Sequence, residues 1–255
     1  MADYDVFEYV LPGESAEVYA TNALRILKDL KAEFPDTFRN FAAPSEVLTL
    51  SGARAFDTYY ELGPDKDEAY KQRLRELLMK HDVLFIDETL PVLGEKNEDN
   101  CYSIVHLDAL KTIPQTYQNL PFWQSFDHTQ MRQDSDFFLW WMAWRDGMYT
   151  RSDNWQNGLL NSWLAGYLPV AHDMTFGVLL GYPGEAIVGA IVDQTDGSHK
   201  TTDAKIHHAD KYDGAQPVYN FPAELAENPT IVAHQKLWSD ILDAVYRDPM
   251  FADED

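Results

Sequence analysis

The stretch KDEAYKQRLRELLMKHDVLFID, residues 66–87, places a helix directly before a strand. Acidic residues lie in the first turn of the helix, where they oppose its macrodipole. Its inward-facing side chains recur at helical spacing: Tyr70, Leu74, Leu77 and Leu78. The apolar run that follows, from Val83, predicts a buried strand that ends at Asp87. Helix and strand therefore alternate along this part of the chain.

The same alternation extends to both sides of this stretch. EVLTL at 46–50 and YSIV at 102–105 are predicted as neighbouring strands. Ser15 is placed to cap a first helix that runs to Phe34 and ends before Pro35. The fold class that follows is α+β, with helices packed on a small mixed sheet. With no linker-like segment in the sequence, one domain over residues 1–255 is expected.

The C-terminal third contains the clearest amphipathic helix. Thr230 is predicted to cap it, and its apolar side chains repeat at helical spacing: Ile231, His234, Leu237, Trp238, Ile241, Leu242 and Val245. His234 on this face is interpreted as a hydrogen-bonded core histidine. A long polar loop is expected at about 193–220, and the acidic tail 251–255 is expected to fray.

The middle of the chain is aromatic and contains few charged residues. Residues 136–146 and 154–167 predict two helices that pack together at the centre of the fold. Their tryptophans are candidates for an aromatic ligand pocket or partner groove: Trp140, Trp144, Trp155 and Trp163. A plain aromatic core is the favoured interpretation of the same residues.

Composition excludes several classes of function. The formal net charge of -22 over 255 residues repels phosphate backbones, so nucleic acid is not an expected partner. The longest apolar run, 137–144, is too short to span a bilayer, which argues against a membrane protein. The single cysteine, Cys101, and the absence of an export signal indicate a cytoplasmic location.

The most distinctive segment is HDMTFGVLLGYPGEAIVGAI at 172–191. It predicts a strand at 175–180, a tight turn and a helix from Glu185. The candidate ligand or turn site consists of His172, Asp173, Gly181, Tyr182, Pro183 and Glu185. The LGYP-x-E pattern with an upstream histidine resembles an uncharacterised family of bacterial proteins, and that resemblance implies no activity. A turn that packs strand on helix is favoured over an anion site, because no lysine lies near it.

Histidines and aspartates offer an alternative function. Two His-Asp pairs, at 81–82 and 172–173, match the composition of a metal-dependent phosphohydrolase of the HD type, which would need a divalent metal. The candidate metal ligands are His128, His172, Asp173, His207 and His208. Because His207 and His208 are adjacent, an extended chain would direct them to opposite sides. A solvated loop is the favoured interpretation of that segment.

The leading hypothesis is a non-catalytic protein that binds a ligand, a protein partner or a second copy of itself. It depends on the acidic field, the aromatic middle and the lack of common catalytic signatures.

Overall fold

The computed structural model describes residues 8–61, 66–87, 101–118, 177–187, 200–211, 217 and 219–252. These residues form an α+β fold, as predicted. Its helices are α1 (Ala16–Glu33), α2 (Pro35–Phe41), α3 (Pro44–Ser51), α4 (Glu68–Met79), α5 (Leu107–Thr116) and α6 (Pro229–Tyr246). Its strands are β1 (Glu8–Tyr9), β2 (Phe56–Glu61), β3 (Val83–Asp87), β4 (Cys101–His106), β5 (Tyr117–Gln118), β6 (Thr201–Asp203) and β7 (Asn220–Pro222). Short 3-10 helices span Ala223–Leu225 and Pro249–Phe251.

The helix-strand unit at 66–87 is confirmed. The Asp67 carboxylate caps α4 by accepting the backbone N–H of Tyr70 at 2.8 Å. Leu74, Leu77 and Leu78 are buried as predicted, and the chain reverses through Asp82, which has φ +56°, into β3. The apolar helix face and the apolar run therefore bury against the same core.

The three-stranded sheet has the order β2-β4-β3, and each of its pairs is antiparallel. The predicted strand at 102–105 is confirmed as the centre of β4. Across the described residues every strand pair is antiparallel, so the sheet is not mixed there. The strand predicted at 46–50 is wrong, because these residues lie in α3 between Pro44 and the left-handed Gly52. All eight α3 residues are buried, the polar ones included, so this helix has no exposed face that would reveal its period.

Helices α1 and α6 pack together on the core. Ser15 occupies the N-cap position of α1 and Phe34 ends it, as predicted, although Ser15 makes no side-chain cap bond. Val18, in the first turn of α1, is 45% exposed. Helix α6 is capped by Asn228, whose Oδ1 accepts the N–H groups of Thr230 and Ile231. The cap assigned to Thr230 was therefore wrong by two residues.

One cluster of buried side chains connects these elements, from Tyr19 in α1 to Phe251 after α6. Phe251 is 2% exposed and packs on Tyr246, so the predicted fraying of the tail does not begin there. Within the predicted loop 193–220, residues 201–203 form β6 and pair with β7. That all 255 residues form one domain stays a prediction.

An ion pair lies inside the fold. Arg54 and Asp57 are each 3% exposed, and Arg54 Nη2 lies 2.6 Å from Asp57 Oδ1. Arg54 Nε also donates to the Phe56 carbonyl at 2.9 Å. The stability of a buried pair of this kind depends on both partners. Removing one of them takes the compensating charge away from the other in a low-dielectric interior.

The predicted central helical pair, at 136–146 and 154–167, lies outside the described residues. Among the residues that the structure describes, no helix is long and apolar enough to cross a membrane.

Candidate functional site

A cleft of about 330 Å³ opens where the N-terminal segment meets α1, the end of α3 and α5. This volume lies within the range of pockets that hold small molecules. Its walls combine backbone, hydroxyl, amide and carboxylate groups with one imidazole and one phenol. The described lining residues are Val10, Leu11, Pro12, Gly13, Glu14, Tyr19, Asn22, Ser51, Gly52, His106, Asp108, Ala109, Thr112, Gln115 and Thr116.

His106 is the buried polar group of the cleft, with 8% of its surface exposed. It ends β4 and caps α5, because its Nδ1 accepts the backbone N–H of Ala109 at 3.3 Å. That bond places the ring proton on Nε2 in the neutral tautomer. Burial lowers the pKa of His106, and this effect exceeds the opposing influence of Asp108 and Asp82. The cap therefore presents a neutral imidazole with an Nε2–H donor.

Gly52 lets the backbone approach that ring. It ends α3 with φ +84°, a left-handed conformation that costs glycine little. A Cβ at this position would lie 3.2 Å from both Cε1 and Nε2 of His106. The absence of a side chain at residue 52 therefore leaves the Cε1–Nε2 edge of the imidazole beside bare backbone in the cleft wall.

The opposite wall is the N-terminal segment 10–14, which short pairing holds in place. Strand β1 pairs with β5, and the Val10 N–H donates to the Thr116 carbonyl at 2.8 Å. The Tyr9 ring packs edge-on against Tyr117, with 5.2 Å between centroids, and lies 6.0 Å from His234. Tyr9 therefore anchors this wall of the cleft, which the two-residue strand β1 connects to β5.

The hydroxyl groups of the cleft are already engaged with backbone. Ser51 Oγ donates to the Leu48 carbonyl and accepts the Ala53 N–H, while Thr112 and Thr116 each donate to a carbonyl of α5. The Asn22 carboxamide differs, since it makes no hydrogen bond or ion pair with any described residue. Asn22 is half-buried and therefore offers one donor group and one acceptor to a ligand.

The charge of the cleft is acidic among its described lining residues. Glu14 and Asp108 contribute carboxylates, and no lysine or arginine lines the described walls. The Asp108 carboxylate already pairs with Lys111, and both side chains are substantially exposed. Burial, together with the charge of Glu14, raises the pKa of Tyr19 to about 12, so this phenol stays protonated.

The structure places four of the six predicted turn-site residues, and it gives them a packing role. Gly181 has φ +76°, and its carbonyl accepts a hydrogen bond from His234 Nε2 at 2.9 Å. Tyr117 Oη donates to the Tyr182 carbonyl at 2.9 Å. Pro183 is buried, and Glu185 lies in the helical segment 184–187. The turn therefore directs two carbonyls into the fold, where the side chains of α6 and β5 satisfy them.

The strand predicted before this turn is wrong over its described part, because residues 177–179 are helical. A Cβ on Gly177 would lie 2.7 Å from Ile187 Cγ1, so the two short helical segments on either side of the turn pack closely. An apolar run of six residues does not distinguish a buried strand from a buried helix. His172 and Asp173 lie outside the described residues.

His234 is a hydrogen-bonded core histidine, as predicted. It is 1% exposed, and its Nδ1 accepts from Tyr219 Oη at 3.1 Å while Nε2 donates to Gly181. Burial lowers the pKa of His234 to about 3. The Trp238 ring lies beside it in a tilted arrangement, with 4.3 Å between the ring centroids. The four tryptophans of the predicted aromatic pocket lie outside the described residues.

Two of the predicted metal ligands are described, and they lie together. His207 Nδ1 is 3.3 Å from one oxygen of Asp243, and His208 Nε2 is 3.1 Å from the other. The expectation that they point apart is wrong, because His208 has φ +59° and turns the chain. No group of three or more potential ligands that could hold a metal occurs among the described residues. His128, His172 and Asp173 lie outside them.

Comparison with known proteins identifies no relative of this chain. No family model matches the chain, and no curated protein or solved structure is detectably similar to it.

Sequence reasoning missed the His106 cleft. The signal was present in SIVHLDAL, where a polar residue after a buried strand precedes an apolar helix with aspartate in its first turn. That pattern is typical of an N-cap, and a histidine there is easily overlooked because Ser, Thr, Asp and Asn are the usual caps. The opposite wall comes from residues far away in sequence, which no local pattern connects to His106.

Proposed function

We propose that this protein is a non-catalytic binding protein and that the cleft around His106 is its ligand site. The observation that carries the proposal is a cavity of small-molecule size with a buried imidazole donor and an unengaged amide in its walls. A bacterial origin, a cytoplasmic location and a protein partner or self-association belong to the same proposal. The LGYP-x-E resemblance supports the first, the single cysteine supports the second, and the acidic charge supports the third.

Binding is favoured over catalysis at this cleft by the arrangement of its polar groups. The Ser51 hydroxyl is bonded to the Leu48 carbonyl and the Ala53 N–H, so it makes no pair with His106. His106 uses Nδ1 to cap α5, and this removes the nitrogen that a third group would orient in a catalytic triad. These bonds leave Ser51 and His106 without the arrangement of a nucleophile and its base.

The test is a fragment library screened by saturation-transfer NMR on the wild type and two tryptophan variants. Thr112→Trp places an indole on the exposed face of α5 that lines the cleft. Thr21→Trp is the matched control, because Thr21 is also an exposed helical threonine bonded to a preceding carbonyl and lies outside the cleft. Fragments should bind the wild type and Thr21→Trp and lose their signal with Thr112→Trp. Equal signals in all three proteins would contradict the proposal.

A further inference from the structure

Two carboxamides in the cleft have no partner among the described residues. Asn22 belongs to α1 and Gln115 to α5, and neither side chain makes a hydrogen bond or an ion pair with a residue that the structure describes. A carboxamide holds N–H donors and a carbonyl acceptor side by side in one plane. Two different helices therefore offer a ligand both kinds of hydrogen bond.

The two aromatic polar groups of the cleft add hydrogen-bonding capacity without charge. Tyr19 and Asn22 are neighbours on one face of α1, because their spacing is i, i+3. The Tyr19 phenol stays protonated, since burial and the charge of Glu14 raise its pKa to about 12. Burial lowers the pKa of His106, so that imidazole is neutral as well. None of these side chains selects a charged ligand.

The charged groups of the described lining do not select one either. The Asp108 carboxylate already pairs with Lys111. Glu14 is exposed, so water and salt screen its charge. An anion would find no lysine or arginine in the described walls. A neutral ligand fits these walls without leaving a charge uncompensated.

Apolar side chains in the same lining favour a flat ring over a polyol. A flat ring covers apolar surface with its faces and makes hydrogen bonds at its edge, whereas a polyol would press hydroxyls against that surface. A ring edge with a donor next to an acceptor pairs bidentately with a carboxamide. The apolar residues of the described lining are Val10, Leu11, Pro12 and Ala109.

We propose that the cleft binds a small, neutral, planar molecule whose edge carries an amide, with an N–H donor next to a carbonyl acceptor. The carboxamides of Asn22 and Gln115 bond to that amide, and the ring faces lie against the apolar side chains. This inference rests on the proposed function, since it names the ligand class of the same cleft.

Three probes of nearly equal size and shape test the class in isothermal titration calorimetry of the full chain. Benzamide is neutral and carries the donor beside the acceptor. Benzoate is an anion with two acceptors, and benzamidinium is a cation with donors only. At high salt, benzamide should bind about tenfold more tightly than either ion, because each ion opposes one group of a carboxamide with its like. The affinity of benzamide should not change with salt, since it has no charge to be screened.

Two variants identify the residues. Asn22→Leu and Gln115→Met keep the bulk of the side chain and remove its amide, so each should weaken benzamide by roughly threefold to tenfold. Each should also reduce the preference for benzamide over benzoate, which a purely structural role would leave unchanged. Gln115 is exposed, so Gln115→Met keeps the test available if Asn22→Leu does not fold. Gln72→Met, at an exposed glutamine of α4 outside the cleft, is the matched control and should change no affinity.

The outcomes distinguish this inference from the function on which it rests. If benzoate or benzamidinium binds as tightly as benzamide at high salt, and Thr112→Trp abolishes binding of both, the cleft is a ligand site but the neutral amide class is wrong. If both carboxamide variants keep the full preference for benzamide, Asn22 and Gln115 do not recognise the amide edge. If no probe binds while library fragments occupy the cleft, this inference fails alone; if the fragments also miss the cleft, both fail.

Discussion

Replacing His234 by glutamine should make the free energy of unfolding less dependent on pH between 7 and 5. In the folded protein burial lowers the pKa of His234 to about 3, from an ordinary value of 6.5. Between pH 7 and pH 5 the His234 side chain therefore takes up a proton in the unfolded chain and stays neutral in the folded protein. Stability is lost as pH falls below the unfolded pKa, and the loss continues until the folded pKa is reached.

The magnitude follows from the distance between pH 5 and the unfolded pKa. Below the unfolded pKa, each pH unit lowers the free energy of unfolding by about 1.4 kcal/mol. Roughly 1.5 units separate that pKa from pH 5, so His234 accounts for a loss of about 2 kcal/mol. His106, whose pKa is also lowered, acts in the same direction in the wild type and the variant. Glutamine does not titrate, yet its amide can donate to the Gly181 carbonyl and accept from Tyr219.

The assay is urea unfolding of both proteins at pH 7 and pH 5, with the free energy extrapolated to water. The loss between the two pH values should be about 2 kcal/mol smaller in His234→Gln than in the wild type. Equal losses in the wild type and His234→Gln would refute the assignment of His234 as a buried, neutral core group.

Three further changes test the packing by urea unfolding at pH 7. Gly181→Ala forces a side chain to φ +76° with its Cβ 2.9 Å from Arg54 Cβ, and should cost about 1–3 kcal/mol, whereas Gly13→Ala, with nothing within 4 Å, should cost little. Asn228→Ala should cost about 1 kcal/mol through loss of the α6 cap, and Thr230→Ala clearly less; the reverse order would restore Thr230 as the cap. Arg54→Met should cost about 3–5 kcal/mol because it removes the buried cation that pairs with the Asp57 carboxylate, and a loss under 1 kcal/mol would contradict that account.

The elements that sequence predicted well are those with a polar face. Helix α4 and helix α6 each alternate buried and exposed side chains at helical spacing, so their period is visible without the fold. His234 could be assigned as a core group because it falls on the apolar stripe of α6. The strand at 102–105 was found because apolar residues follow one another there without a helical gap.

The two segments that were wrongly predicted as strands share one physical cause, which is burial on every side. Residues 46–50, in which Val47, Leu48 and Leu50 lie among two polar residues, and residues 177–179 were predicted as strands, yet both segments are helical and buried. Side chains in such a helix all avoid water, so no period separates it from a buried strand. The flanking Pro44 and Gly52 were the only local signals of a helix in the first case.

The candidate site depended on contacts that sequence does not encode locally. His207 and His208 share the carboxylate of Asp243 only because His208 adopts a left-handed conformation. The His106 cleft needs the N-terminal segment to return to α5 through pairing of β1 with β5. Both arrangements are set by chain reversals, which the residue pattern of either partner does not reveal.

The central claim is that ligands enter the cleft around His106, and a two-dimensional ¹H–¹⁵N NMR titration tests it most directly. The titration adds the strongest-binding fragment from the library to the labelled full chain. The account predicts that the shifted amides cluster on segment 10–14, the first half of α1 and α5, including Ala109. Shifts centred instead on the turn at Gly181 or on His207 and His208, or spread evenly over the acidic surface, would contradict it.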